Sequence, residues 1–178
     1  MGITNPAFEL SYERRTGQSF STQLMVSYLL PRTVWDFNRP TIINMNGFRT
    51  ALEEKLYFKK SAPFGPYLGL EFDYLTSRYD DIRTFSTSYS HPDQVSIKKE
   101  NYSLNFKFGY QLIINRLSFD CFMGFGLRYK NVKHLSTTIT NGSDDREPRY
   151  FNMFYNYSRE GKYTVLSMPL NVRVGWTF

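Results

Sequence analysis

From Asn101 to Tyr129 large apolar residues fall at every second position. They are Tyr102, Leu104, Phe106, Phe108, Tyr110, Leu112 and Ile114 on a first arm, then Leu117, Phe119, Cys121, Met123, Phe125, Leu127 and Tyr129 on a second. Between them stand Ser103, Asn105, Lys107, Gly109 and Gln111, then Ser118, Asp120, Gly124, Gly126 and Arg128, with Phe122 the one large apolar intruder. A period of two held this long dictates strands and excludes helix. Asn115-Arg116 between the arms predicts a tight turn, and so an antiparallel hairpin with strands longer than the roughly five or six residues usual in soluble sheets.

The same device recurs along the chain. Alternating stretches cover 6–15, 19–30, 47–58, 66–79 and 163–178, which with the two arms makes seven strands in a single domain, 1–178. Thr16-Gly17 and the basic Pro/Gly stretch 59–65 are short turns, and 31–46, 80–98 and 131–162 are expected to be long loops. Glu54 is the worst violation, since it shares the apolar parity of Phe48, Leu52, Leu56 and Phe58. It is expected near an interface or beside a neutralising neighbour.

Periodicity does not say which face is inside, but volume does. The apolar parity supplies on the order of three dozen large side chains, whereas a packed eight-stranded barrel takes about a dozen. The apolar wall therefore points outward, toward lipid. The other parity lines the interior, with Glu9, Glu13, Glu53, Glu71, Asp73 and Asp120 against Arg49, Lys55, Lys107, Arg128 and Arg173. Nearly balanced charges in a narrow lumen are expected to pair and hold it shut.

Composition fits this reading. Mean hydropathy of −0.46 suits a barrel as well as a soluble chain, because every second strand residue is polar. Aromatics make up 18% of the chain, and such rings collect at membrane interfaces. The net charge of +6 is scattered over many elements, which argues against nucleic acid as a partner. The lone Cys121 excludes an internal disulfide and sits on the apolar parity. Residues 1–8 show neither the basic region nor the apolar core of a leader, which leads us to expect a processed or truncated chain or a misplaced start.

Three stretches carry a resemblance: N-P-A-F-E-L-x-Y-E at 5–13, F-G-P-Y-L-G-L-E at 64–71 and P-L-N-V-R-V-G-W-x-F at 169–178. With them the chain resembles small outer-membrane β-barrels of the OmpA/OmpX-like superfamily, and in particular uncharacterised Bacteroidota barrels, over all seven strands. The terminal alternation of Val172, Val174, Trp176 and Phe178 resembles the signal read by the barrel-assembly machinery. The resemblance implies an all-β, antiparallel, up-and-down transmembrane barrel in the bacterial outer membrane, among outer-membrane lipid and lipopolysaccharide. Such families include adhesins, membrane anchors and proteins of unknown role, so the resemblance fixes location better than activity.

Seven strands leave the barrel one short. Single-chain bacterial barrels have even strand numbers, and here the first and last strands run the same way. Eight strands are expected, the first missing upstream; the alternatives are a strand from another chain or one within 131–162. The leading functional expectation is a non-enzymatic barrel with no cofactor and no metal. Its loops contact an extracellular ligand or an envelope complex, with Trp35, Phe37, Phe85, Tyr89, Tyr150, Phe151, Phe154 and Tyr155 as binding or girdle residues. One alternative is a lipid hydrolase or acyltransferase drawing on His91 or His134 with Ser136 and Asp144 or Asp145. The other is a small channel.

Overall fold

A computed structural model describes residues 7–36, 39–58, 62–83, 93–137 and 160–176. They form one antiparallel up-and-down sheet with strands β1 (Ala7–Arg15), β2 (Phe20–Asp36), β3 (Arg39–Tyr57), β4 (Gly65–Arg83), β5 (Asp93–Ile114), β6 (Leu117–Thr137), β7 (Gly161–Ser167) and β8 (Leu170–Trp176). Each strand from β1 to β6 pairs with the next, and β8 also pairs with β6. The last two are successive parts of one line. Gly126 faces Ser167 and Met123 faces Leu170, so the register carries across Met168 and Pro169 without a shift. Pro169 lacks a donor, yet its carbonyl still accepts the Gly124 amide at 2.8 Å. The single terminal strand read from the sequence is thus present, with a proline interrupting its ladder.

The short turns lie where the alternation places them. Ile114 pairs with Leu117 around Asn115-Arg116, and Asn115 takes a φ of 56°, which asparagine tolerates better than most residues. The amides of Thr16 and Gly17 both reach the Phe20 carbonyl in the first turn. These turns and the 58–64 connection share one end of the sheet, the near end.

At the far end the long-loop expectation fails in part. β2 continues to Asp36 and β3 starts at Arg39, so 31–46 is mostly paired strand. β4 runs to Arg83 and β5 begins at Asp93, while β6 extends to Thr137 and β7 starts at Gly161. These stretches lack an apolar face, which is the signal that strand assignment from sequence relies on, yet backbone pairing continues without it. The ladder is irregular here: its register shifts after Leu29, beside Pro31, and between Ile43 and Asn46, where Asn44 has a φ of 54°. The remaining residues of the expected loops lie outside those described.

Outward and inward faces follow the parity. Leu10, Leu24, Leu52, Phe72, Phe106, Phe125 and Leu166 are exposed, along with the other large apolar residues of their parity, while Glu53, Lys55, Glu71 and Lys107 are fully buried. Buried apolar side chains collect at two levels. Tyr57, Ala62, Tyr67 and Phe122 cluster near the turns, and Tyr79, Ile97 and Val132 cluster toward the far end, with Met45 and Tyr163 packed on them.

The sheet curls until Arg173 on β8 lies 3.8 Å from Glu9 on β1. Its two edges do not pair: among the described residues β1 bonds only to β2, and β7 and β8 only to β6. Inward-facing Ser11 and Asn171 on these edges are exposed, whereas Met25 and Phe122, directly opposite them on the next strands, are buried.

Candidate functional site: the ion-paired interior

The register places Glu53 directly opposite Glu71 on adjacent strands. Like charges so close are destabilising unless something answers them. Two cations do. Lys107 on β5 reaches Glu53 at 3.0 Å and makes a still shorter contact with Glu71. From the other side the Arg173 guanidinium spans both, 3.0 Å from Glu53 and 3.4 Å from Glu71. Phe122 lies between the cations, its ring centroid 4.1 Å from Lys107 Nζ and 4.4 Å from Arg173. Its intrusion on the polar face therefore gives two buried cations an aromatic surface.

A second centre forms around Lys55, which is fully buried. Its ammonium lies 2.9 Å from Asp120 and 3.2 Å from Glu13, donates to Gln111 at 3.3 Å, and sits over the Tyr67 ring. Tyr67 donates its hydroxyl to Asp120 at 2.7 Å, and the Tyr57 hydroxyl lies against Glu13 and Gln111. The space for Tyr67 exists because residue 109 is glycine, where an added Cβ would fall 2.5 Å from the ring.

The third centre is Arg49, which donates to both oxygens of Asp73 at 3.1 and 3.0 Å and lies 3.9 Å from Glu71 and from Glu9. Through Glu9, Glu71 and Asp120, which each contact cations of two centres, all three join into one network. Of the eleven interior charges read from the sequence, ten belong to it. Arg128 does not: it donates to Ser103 and Ser167, each at 3.1 Å, and has no carboxylate within ion-pair distance among the described residues.

Sequence reasoning missed the neutral members, Tyr57, Tyr67, Gln111 and the role of Phe122. The available signal was aromatic residues on the polar parity beside the near-end turns. Glu54 lies on the outer face three residues from the end of β3, where Thr22 donates to it at 2.6 Å and Thr16 at 3.5 Å. Val172, Val174 and Trp176 are exposed on the outer face of β8, and Phe178 lies outside the described residues.

The loop aromatics and the Ser/His/acid set cannot be assembled from the described residues. Trp35 belongs to β2 and His134 and Ser136 to β6, whereas residues 37, 85, 89, 91, 144, 145, 150, 151, 154 and 155 lie outside the description. Among the described residues no group of three or more His, Cys, Asp or Glu could hold a metal ion. Comparison of the chain with protein-family models, curated proteins and solved structures finds no match in any of the three.

Proposed function

We propose that this chain is a non-enzymatic outer-membrane β-barrel of the OmpA/OmpX-like kind, an envelope or interaction protein whose interior is shut by its own charges. The observation that carries the proposal is a change of polarity along the outward face of β4, β5 and β6. On β4 that face runs Leu68, Leu70, Phe72, Tyr74 and then Arg78 and Asp80, while on β5 and β6 it changes to Lys98 and Lys133. The inward face at that level mixes the buried Tyr79, Ile97 and Val132 with Lys99, Lys130 and His134. A strand that is apolar outside over one length and charged outside over the next leaves one solvent and enters another.

The boundary is marked by Tyr74, Tyr102 and Tyr129, paired across three strands with neighbouring ring centroids 4.9 and 6.4 Å apart. Tyrosine at this level suits a membrane interface, with its ring in the apolar layer and its hydroxyl in water. From Tyr102 to Ile114 the apolar parity of β5 covers about 40 Å of strand, or about 30 Å of height at a tilt of ~40°, close to a bilayer's hydrocarbon thickness. The exposed apolar area is on the order of 3,000 Å², far above the few hundred Å² usual on a soluble monomer. No helix of the described residues is long and apolar enough to cross a membrane.

In lipid the two free sheet edges must be satisfied. β1 and β8 both run toward the near end, so they cannot pair antiparallel with each other. One strand running the opposite way between them, from this chain or another, pairs with both and completes eight positions. The interior charges are one another's partners, which favours a structural role over a conducting pore.

The test is detergent extraction of the membrane fraction, followed by electrophoresis of heated and unheated samples. Retention in the membrane and a compact, faster unheated band are expected. Partition to the soluble fraction with no heat-dependent shift refutes the barrel.

A further inference from the structure

Just beyond the tyrosine row, the outward face carries Arg78, Lys98 and Lys133 side by side on β4, β5 and β6, each directly opposite the next. Neighbouring strands are about 4.8 Å apart, so three cations lie within about 10 Å of one another. Like charges directly opposite in a sheet cost stability, and nothing in the fold requires them. Among the described residues one carboxylate lies within ion-pair distance of the row: Glu100 is 2.7 Å from Lys98 and accepts a hydrogen bond from Asn131 at 3.3 Å. Asp80, two residues beyond Arg78 on the same face, is engaged by Ser96 at 2.5 Å and Asn44 at 3.3 Å. Arg78 and Lys133 make no ion pair or hydrogen bond with any described residue. A further cation, Lys162, faces Asn131 across the β6–β7 ladder.

Beside the Arg78 end of the row, toward β2 and β3 and away from Lys133, is a groove of about 450 Å³ with Tyr28, Phe48 and Tyr74 on its floor and Asn46, Arg78 and Lys98 at its rim. Its floor belongs to the apolar band and its wall to the charged rim. A ligand that fits both is an amphiphile, with its anionic head against the cations and the root of its acyl chains against the aromatic rings. Among the described residues Arg78, Lys98, Lys133 and Lys162 stand against Glu100 and Asp80, which leaves this face with two positive charges in excess.

We propose that this rim binds a lipid whose phosphorylated headgroup carries at least two negative charges. The proposal rests on the membrane reading above. It adds a specific lipid contact to a barrel otherwise surrounded by bulk lipid.

The full-length protein is reconstituted into vesicles of phosphatidylcholine alone, of phosphatidylcholine with phosphatidylglycerol, and of phosphatidylcholine with phosphatidic acid. Flotation reports insertion, and native mass spectrometry reports the lipids retained on release. Phosphatidic acid, a phosphate monoester, is expected to be retained above phosphatidylglycerol, and added inorganic phosphate is expected not to displace it. The Arg78→Gln/Lys98→Gln/Lys133→Gln variant is expected to lose that retention, at about fivefold per cation near an anionic headgroup, while keeping its heat-dependent gel shift. Equal retention of the two anionic lipids, unchanged retention by the variant, or displacement by inorganic phosphate overturns the lipid site and leaves the barrel standing. Failure to float with any vesicle overturns both.

Discussion

Replacing Lys107 by methionine tests the interior network at its most constrained point. The substitution keeps the unbranched stem against Phe122 and removes the ammonium that lies between Glu53 and Glu71. Breaking a buried ion pair by deleting one partner costs about 3–5 kcal/mol, because the other charge is left buried without compensation. Here two carboxylates are left, directly opposite each other, but Arg173 still touches both. The cost is therefore set at the lower end, about 3 kcal/mol. For a chain of this size each kcal/mol moves the unfolding midpoint by about 2–4 °C, so a fall of about 6–12 °C follows. The assay is the temperature at which the compact gel band converts to the slow one at a fixed heating time, since barrel unfolding in detergent is read as a rate. The double change Lys107→Met/Glu71→Gln removes one carboxylate with the cation, leaves Glu53 paired with Arg173 at 3.0 Å, and is expected to recover to within about 1 kcal/mol of the native protein. A single variant within 2 °C of native, taken as about 1 kcal/mol or less, or a double variant less stable than the single, refutes the argument that Lys107 holds two like charges together.

Gly109→Val puts a side chain where the Tyr67 ring lies, 2.5 Å from its Cζ, and forces the ring and its 2.7 Å bond to Asp120 apart. A loss of about 2–4 kcal/mol is expected by the same heated-gel assay, and a neutral result means the ring is not confined there. Glu54→Leu should change stability by less than about 1 kcal/mol if Glu54 stands near an interface; a clear gain places it deep in the apolar band. Tyr67→Ala combined with Phe122→Ala removes the rings under Lys55 and Lys107 but leaves their ion pairs in place. The variant is expected to stay silent in planar bilayers, and discrete conductance steps show that the aromatic layer and not the ion-paired network shuts the interior.

Much of the fold was legible because one force writes it in a simple code. Where one face of a strand is apolar and the other polar, parity assigns both faces. The strand cores from Phe8 to Trp176 follow that rule apart from Glu54 on the outer face and Tyr57, Tyr67 and Phe122 on the inner, and the Asn115-Arg116 turn is plain to read. The code fails where its cause stops. Beyond Tyr74, Tyr102 and Tyr129 the outward face turns charged, so the alternation stops marking β4 after Tyr79, β5 before Asn101 and β6 after Tyr129, although the strands reach Arg83, Asp93 and Thr137. The interior charges were legible as a set but not as pairs, because pairing depends on register. Sequence alone does not show that Lys107 faces Glu53 and Glu71, or that Arg128 is left to two serines. Phe122, Tyr57 and Tyr67 read as exceptions on the polar parity, yet they pack against the buried lysines.

The division between the two faces also says where the specificity of this fold resides. On the outer face one large apolar group can replace another at little cost, so Leu104, Phe106 and Phe125 carry almost no information about which strand residue sits opposite which. A slip of one residue would turn Lys107 and Asp120 outward among them and is strongly penalised. A slip of two keeps every side chain on its proper face, and the outer wall would scarcely register it. The interior would: it would move Lys107 about 7 Å along its strand, away from Glu53 and Glu71, and would bring a side chain up to the Tyr67 ring where Gly109 now leaves it room. Buried charges whose net contribution to stability is small thus select one register among several that the apolar face accepts alike. The constellation proposed to shut the interior is therefore also what aligns the strands, and both roles rest on the same contacts of Lys55, Lys107 and Arg173.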